Sequence, residues 1–203
     1  QLGPGQRLEL AVRMPDSEGA IVKLEDIKGT NPKVLATLRA VGASLKRDVR
    51  DLAPLEANPV QKADLGSATH IPLILSATAE NTADSTICGS IGYSFWAINK
   101  VPWSGDTPDP TAPLAELKLG RSYVIDMENP TPRAHPIHLH GMSFTVLSST
   151  AGPVPPLVSD TYLIQPDEKV QLGFVADSPG DWLLHCHIIE HQKTGMTSYV
   201  RVV

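Results

Sequence analysis

Residues 185–196 read HCHIIEHQKTGM, three histidines, one cysteine and one methionine within twelve positions. The whole chain of 203 residues has seven histidines, two cysteines and four methionines, so imidazole and soft sulfur are concentrated here. A second group, HPIHLHG, spans residues 135–141, and together the two hold six of the seven histidines. A lone histidine is usually a surface or hydrogen-bonded core residue. Six in two short stretches, with a cysteine between two of them, form a metal-ligand pattern.

Parity along a strand sorts these donors. Side chains two apart share a face and neighbours point oppositely. In His185-Cys186-His187 both imidazoles therefore leave one face and the thiol leaves the other. His138 and His140 share a face, while His135, three positions from His138, points oppositely if the backbone is extended. One group thus holds His135 and Cys186; the other holds His138, His140, His185 and His187. His191 and Met196 lie beyond Cys186 on a chain that Gly195 allows to turn, and they complete the first group. A thiolate, two imidazoles and a thioether are the donors of a blue copper site, trigonal with a weak axial Met. Zinc could use the thiolate and imidazoles, but a thioether adds little for zinc. Four imidazoles without sulfur suit copper that handles oxygen. Because His185 and His187 flank Cys186, the backbone itself links the two groups.

The elements that must carry these donors read as short strands. Apolar residues alternate along Lys169–Phe174 and along Ser122–Met127, the period of a half-buried strand. Further strands are expected at Ile71–Ser76, Tyr93–Ile98, Met142–Ser148, Asp181–His187 and Thr197–Val203. Turn signals at Asp106–Pro113, Asn129–Pro132, Gly152–Pro156 and Ser178–Gly180 separate them. Eighteen prolines and fifteen glycines fit this segmentation, and the pattern predicts an all-β Greek-key barrel or sandwich. Leu8–Val12 reads as one more strand. Residues 23–66 lack a sustained period of two and read as an extended interdomain connection, with a short helix over Lys33–Arg50. A hydrophobic content of 41% is enough for a packed core, and no apolar run is long enough for a membrane span. A net charge of -5 gives no basic footprint for nucleic acid. Any export signal is expected to be removed already or to lie outside these residues. Cys88 is left as a buried free thiol or as the partner of a cysteine elsewhere.

HPIHLHG followed by HCHIIEHQKTGM resembles the C-terminal pair of copper motifs of the multicopper oxidases, the laccase and metallo-oxidase family. FWAINK (95–100), ENP (128–130) and PGDW (179–182) are similar to the same family's C-terminal cupredoxin domain. The likeness covers roughly residues 67–203, while GPGQRLELAVR near the start resembles the last strand of a preceding domain. The resemblance implies a cupredoxin-like domain at 67–203, an interdomain linker at 23–66, and the terminal strand region of another cupredoxin domain at 1–22. It implies that His135, Cys186, His191 and Met196 bind type 1 copper, His138 type 2 copper, and His140, His185 and His187 the type 3 pair. It also implies a periplasmic or secreted oxidase that takes one electron at a time from phenolic, other organic or metal-ion substrates and reduces oxygen to water.

In that family eight histidines hold the oxygen centre, and this chain supplies four. The other four would come from two His-X-His motifs of an N-terminal cupredoxin domain, the expected partner, and no such pair precedes Arg133. The remaining histidine, His70, reads as structural. Where several bacterial relatives carry a carboxylate after the last type 1 histidine, this chain has Gln192, which cannot donate a proton as a carboxylic acid can. Glu190 is either a solvated charge or a contact for substrate. Met14, Met127 and Met142 are too scattered for a soft-metal segment, which weighs against a cuprous substrate. The alternative reading is a free-standing cupredoxin that only transfers electrons, for which the four outer histidines would have no use. An oxidase of two domains would need the absent motifs, and a copper nitrite reductase would lack the second histidine flanking the cysteine.

Overall fold

A computed structural model of the chain describes residues 2–46, 56, 58–77, 95–103, 112–154 and 157–203. Its contacts divide into two compact units, Gln1–Arg7 with Pro59–Val203, and Leu8–Asn58.

The larger unit is built from two sheets. Six strands run in the order β4 (Ala97–Ile98), β3 (Thr69–Ser76), β6 (Ser122–Glu128), β11 (Lys169–Val175), β8 (Phe144–Ser149) and β9 (Val158–Ser159). Five run in the order β10 (Thr161–Ile164), β7 (His135–Leu139), β12 (Gly180–Cys186), β13 (Thr197–Val202) and β5 (Ala115–Leu117). A single short helix, α1 (Ile189–Lys193), lies between β12 and β13. Alternation produces the core. Ile71, Ile125, Leu172 and Val146 are register partners across four adjacent strands, and Leu73, Met127 and Val170 form the next row. These rows join Ile137, Leu139, Leu184, Cys186 and Val200 of the other sheet in one buried cluster. The result is the all-β sandwich that alternation predicts.

The smaller unit contains a hairpin, β1 (Ile21–Asp26) paired antiparallel with β2 (Lys33–Arg39). This corrects the helix expected over Lys33–Arg50: residues 33–39 are a strand, 40–46 have no helix, and 47–50 lie outside the described residues. Its Ala, Leu, Lys and Arg favour helix only weakly, and ladder bonds to β1 outweigh that preference. The signal missed was the turn Lys28-Gly29-Thr30-Asn31-Pro32, which reverses the chain between the strands. The hairpin also gives regular structure to part of the span read as a connection. Leu8–Val12, expected as a strand, has no ladder partner among the described residues. Tyr93–Ile98 shortens to β4, with 93–94 outside the described residues, as is Cys88.

Leu172 is 1% exposed at the centre of the core. Leu172→Ala should cost about 2–5 kcal/mol in urea unfolding. Leu119→Ala, at a site 51% exposed, should cost no more than about 0.5 kcal/mol.

Candidate metal centre

The site is laid out by the pairing of β7 with β12. His185 stands opposite His138, Cys186 opposite Ile137 and Leu184 opposite Leu139. Cys186 shares the inward face with Ile137 and is fully buried, while His138 and His187 lie partly open on the other side. The division by parity is what the structure contains. β7 remains extended from His135, so His135 points inward with Cys186.

After Cys186 the chain turns through α1, which returns His191 to the same point. His135, Cys186 and His191 bring one donor atom each within 4.8 Å of one another, the one such group among the described residues. The Cys186 Sγ lies 3.9 Å from His135 Nδ1 and 3.7 Å from His191 Nδ1, and the two Nδ1 atoms are 3.0 Å apart. Edges of this size fit a single ion bonded at about 2.0–2.3 Å to nitrogen and sulfur. The bond from the Met196 amide to the His191 carbonyl is 2.9 Å, and the Met196 carbonyl accepts from the Cys186 amide at 3.1 Å. Met196 is wholly buried beside them. Gly195, at φ +124°, makes the return possible. A Cβ there would run into the carbonyl oxygen of Trp96.

Hydrogen bonds around the donors set their lone pairs. Thr131 donates its hydroxyl proton to the Asn129 side chain at 2.7 Å, so it accepts from His135 Nε2–H at 2.8 Å. That leaves the lone pair of His135 Nδ1 facing the sulfur, an outer brace of the kind metal-binding imidazoles use. The Ile188 amide donates to Cys186 Sγ at 3.4 Å. Burial, with His191 nearby, lowers the pKa of His135 to about 3, and burial lowers that of His191 too. Burial pushes the Cys186 thiol up to about 12, against a smaller opposing pull from the Ile188 amide. Without a cation the set is therefore neutral, with the sulfur protonated. A soft cation would displace that proton and take the lone pairs that otherwise crowd together.

The outer group gathers on the opposite face. Ring centroids lie 4.6 Å apart for His138 and His140, 5.0 Å for His138 and His187, and 5.2 Å for His185 and His187. His140 and His185 approach at 3.0 Å through their Nε2 atoms. His138 Nδ1 donates to the Asp160 carbonyl at 2.9 Å, and His185 Nδ1 to the Cys186 carbonyl at 3.0 Å. Both thereby present Nε2 outward. Burial and neighbouring imidazoles hold His140 and His187 below the usual histidine range, and burial does so for His185. These four do not converge on one point. Residues 3–7 back this face: Gly5 sits against the His187 ring, and Arg7 pairs with Asp160.

All eight residues singled out in the sequence are thus described, four on each side of β12. Sequence reading missed Thr131 and Asp160, and it quoted Trp96 and Asn129 within FWAINK and ENP without giving either a place at the site, because polar or aromatic residues outside a ligand motif carry no spacing signal. His70 hydrogen-bonds Asp126 at 2.7 Å, away from both groups.

The family model described as multicopper oxidase matches residues 72–203. A multicopper oxidase of Mycobacterium tuberculosis is 34% identical over 113 residues, covering 56% of this chain and 21% of the relative. One from Staphylococcus haemolyticus is 26% identical over 180 residues, covering 85% of this chain and 40% of the relative. The crystal structure of a multicopper oxidase from Pseudomonas thermotolerans superposes with a TM-score of 0.72 and 31% identity, covering 92% of this chain and 41% of that one. The chain therefore spans about two-fifths or less of the lengths of these relatives.

Burial and the raised pKa make one outcome specific. In metal-free protein carrying Cys88→Ser, so that Cys186 is the remaining cysteine, labelling by a thiol reagent at pH 8 should run orders of magnitude slower in native protein than in urea.

Proposed function

The chain belongs to the multicopper oxidase family, and from that premise we propose that it carries the electron-entry site and half of the oxygen-reducing site of such an oxidase. His135, Cys186, His191 and Met196 would hold type 1 copper, His138 type 2 copper, and His140, His185 and His187 the type 3 pair. When bound, copper supplies one-electron oxidation of a donor at the first site and reduction of oxygen to water at the second. The observation that supports the reading is the two-faced strand: the Cys186 thiol meets two imidazoles inside, while the residues on either side of it face a separate histidine cluster.

The chain's own groups have distinct tasks. Burial keeps His135 and His191 unprotonated, so their lone pairs stay available across the neutral range. The Ile188 amide offers a hydrogen bond that stabilises negative charge on the Cys186 sulfur once its proton is lost. Thr131 and the Asp160 carbonyl fix the tautomers of His135 and His138. The peptide bonds joining Cys186 to His185 and His187 give the shortest covalent path between the groups.

Four more imidazoles are needed to close the oxygen site, and we place them in an N-terminal domain of the same polypeptide. The greater length of the relatives supports this. For the electron donor we favour a phenolic or other organic molecule over a soft metal ion. Met127 and Met142 are buried in the core, 1% and 5% exposed, and offer no surface thioether cluster. Gln192 follows His191 without a carboxyl proton to give, so protons for oxygen reduction must enter elsewhere.

A copper count on the parent protein tests the proposal: near four per molecule is expected, and near one would favour a simple electron carrier. Cys186→Ser should abolish the blue absorption and substrate oxidation together. Met196→Leu should keep the colour and raise the reduction potential, because loss of a weak axial donor destabilises Cu(II) more than Cu(I); an unchanged or lower potential would remove Met196 from the ligand set. The 203 residues alone should consume negligible oxygen.

A further inference from the structure

We propose that Trp96 is a positioning residue of the His135–Cys186–His191 site, holding the His191 ring in place and keeping water from His135 and the Cys186 thiol behind it. Its indole centroid lies 4.3 Å from that of His191, tilted by 37°, and 4.9 Å from that of His135, edge to face at 73°. The two imidazoles are not equally supported. His135 is braced through Nε2 by Thr131. Among the described residues, His191 has no hydrogen bond on that side, and its ring orientation rests on the indole.

The indole is also tied to the loop that delivers His191 and Met196. The amides of Phe95 and Trp96 both donate to the Thr194 carbonyl, at 3.0 and 3.1 Å, and the Trp103 amide donates to the Gly195 carbonyl at 3.0 Å. The contact of Gly195 with the Trp96 carbonyl leaves no room for a side chain. Segment 95–103 therefore clamps the ligand loop by backbone bonds, and Trp96 is the side chain it presents to the donors. Beyond the indole lies a cleft of about 510 Å³, lined by Phe95, Trp96, Arg133, Ile188, Glu190 and His191. His191 is itself part of the cleft lining, whereas His135 and Cys186 are wholly buried and take no part in it, so the indole is the wall between the cleft and His135.

The redox consequence rests on the copper reading above; the shielding rests on packing alone. Removing the wall admits water, which favours the more highly charged oxidised ion and lowers the potential of the site. In the full-length, copper-loaded protein, Trp96→Ala should lower the potential of the blue site and change its electron paramagnetic resonance splitting, and Trp96→Phe should restore both. In metal-free protein with Cys88→Ser, Trp96→Ala should speed labelling of Cys186 by about tenfold or more, and Trp96→Phe should not. Unchanged potential and unchanged labelling in Trp96→Ala would overturn the proposal, as would a Phe variant that rescues neither. If Trp96→Ala does not fold, Trp96→Leu replaces it, since it keeps apolar bulk without a ring; an unaltered resonance splitting in that variant would count against positioning. Should the parent protein have no blue band, the copper reading fails, and the labelling rates still decide whether Trp96 shields the thiol.

Discussion

The register of β12 against β7 is the constraint on which both histidine groups depend. His185 opposite His138 and Cys186 opposite Ile137 put imidazoles on one side of the sheet and sulfur on the other. A slip of β12 by one residue would exchange its faces, burying imidazoles among Ile137, Leu139 and Val200 and sending Leu184 and the thiol to the surface. The apolar residues between the donors oppose such a slip. Leu184 and Ile137 are almost wholly buried, so the hydrophobic pattern that folds the sandwich also fixes which donor meets which. Fold stability and site geometry are not separable here.

Much of this could be read from residue order. Alternation in Ser122–Met127 and Lys169–Phe174 located two strands of the larger sheet, and parity in His185-Cys186-His187 assigned each donor to its side. Parity works because a strand's two faces are a local property. The missed features are those that local order does not encode. Thr131 reaches His135 only because Asn129 bonds the Arg133 and Gln165 carbonyls and folds that corner. Asp160 faces His138 through the pairing of β10 with β7. The helix expected at Lys33–Arg50 failed for the same reason: composition gave a weak preference, and pairing with β1 decided the outcome.

The two donor groups also differ in how complete they are. The sulfur-containing group lies in the core, with His135, Cys186 and His191 converging and His135 braced by Thr131. The four outer imidazoles hold a common face but no common centre. That contrast gives the cysteine a double position, facing the inner imidazoles on one side and joined by peptide bonds to two of the outer ones on the other.

The distance in sequence between the two motifs has a consequence in time. At roughly 5–20 residues per second of synthesis, the stretch from His140 to His185 takes several seconds to emerge. During that interval His138 and His140 exist as a chelating pair without Cys186, without His191 and without the strand that orients them. Any metal they capture then would be held in the wrong environment. The sulfur site escapes this hazard, because Cys186, His191 and Met196 are made almost together and become a site only when β12 pairs with β7. Ordering of the donors by the ribosome thus favours loading after folding, and makes the supply of metal during synthesis a threat to correct assembly.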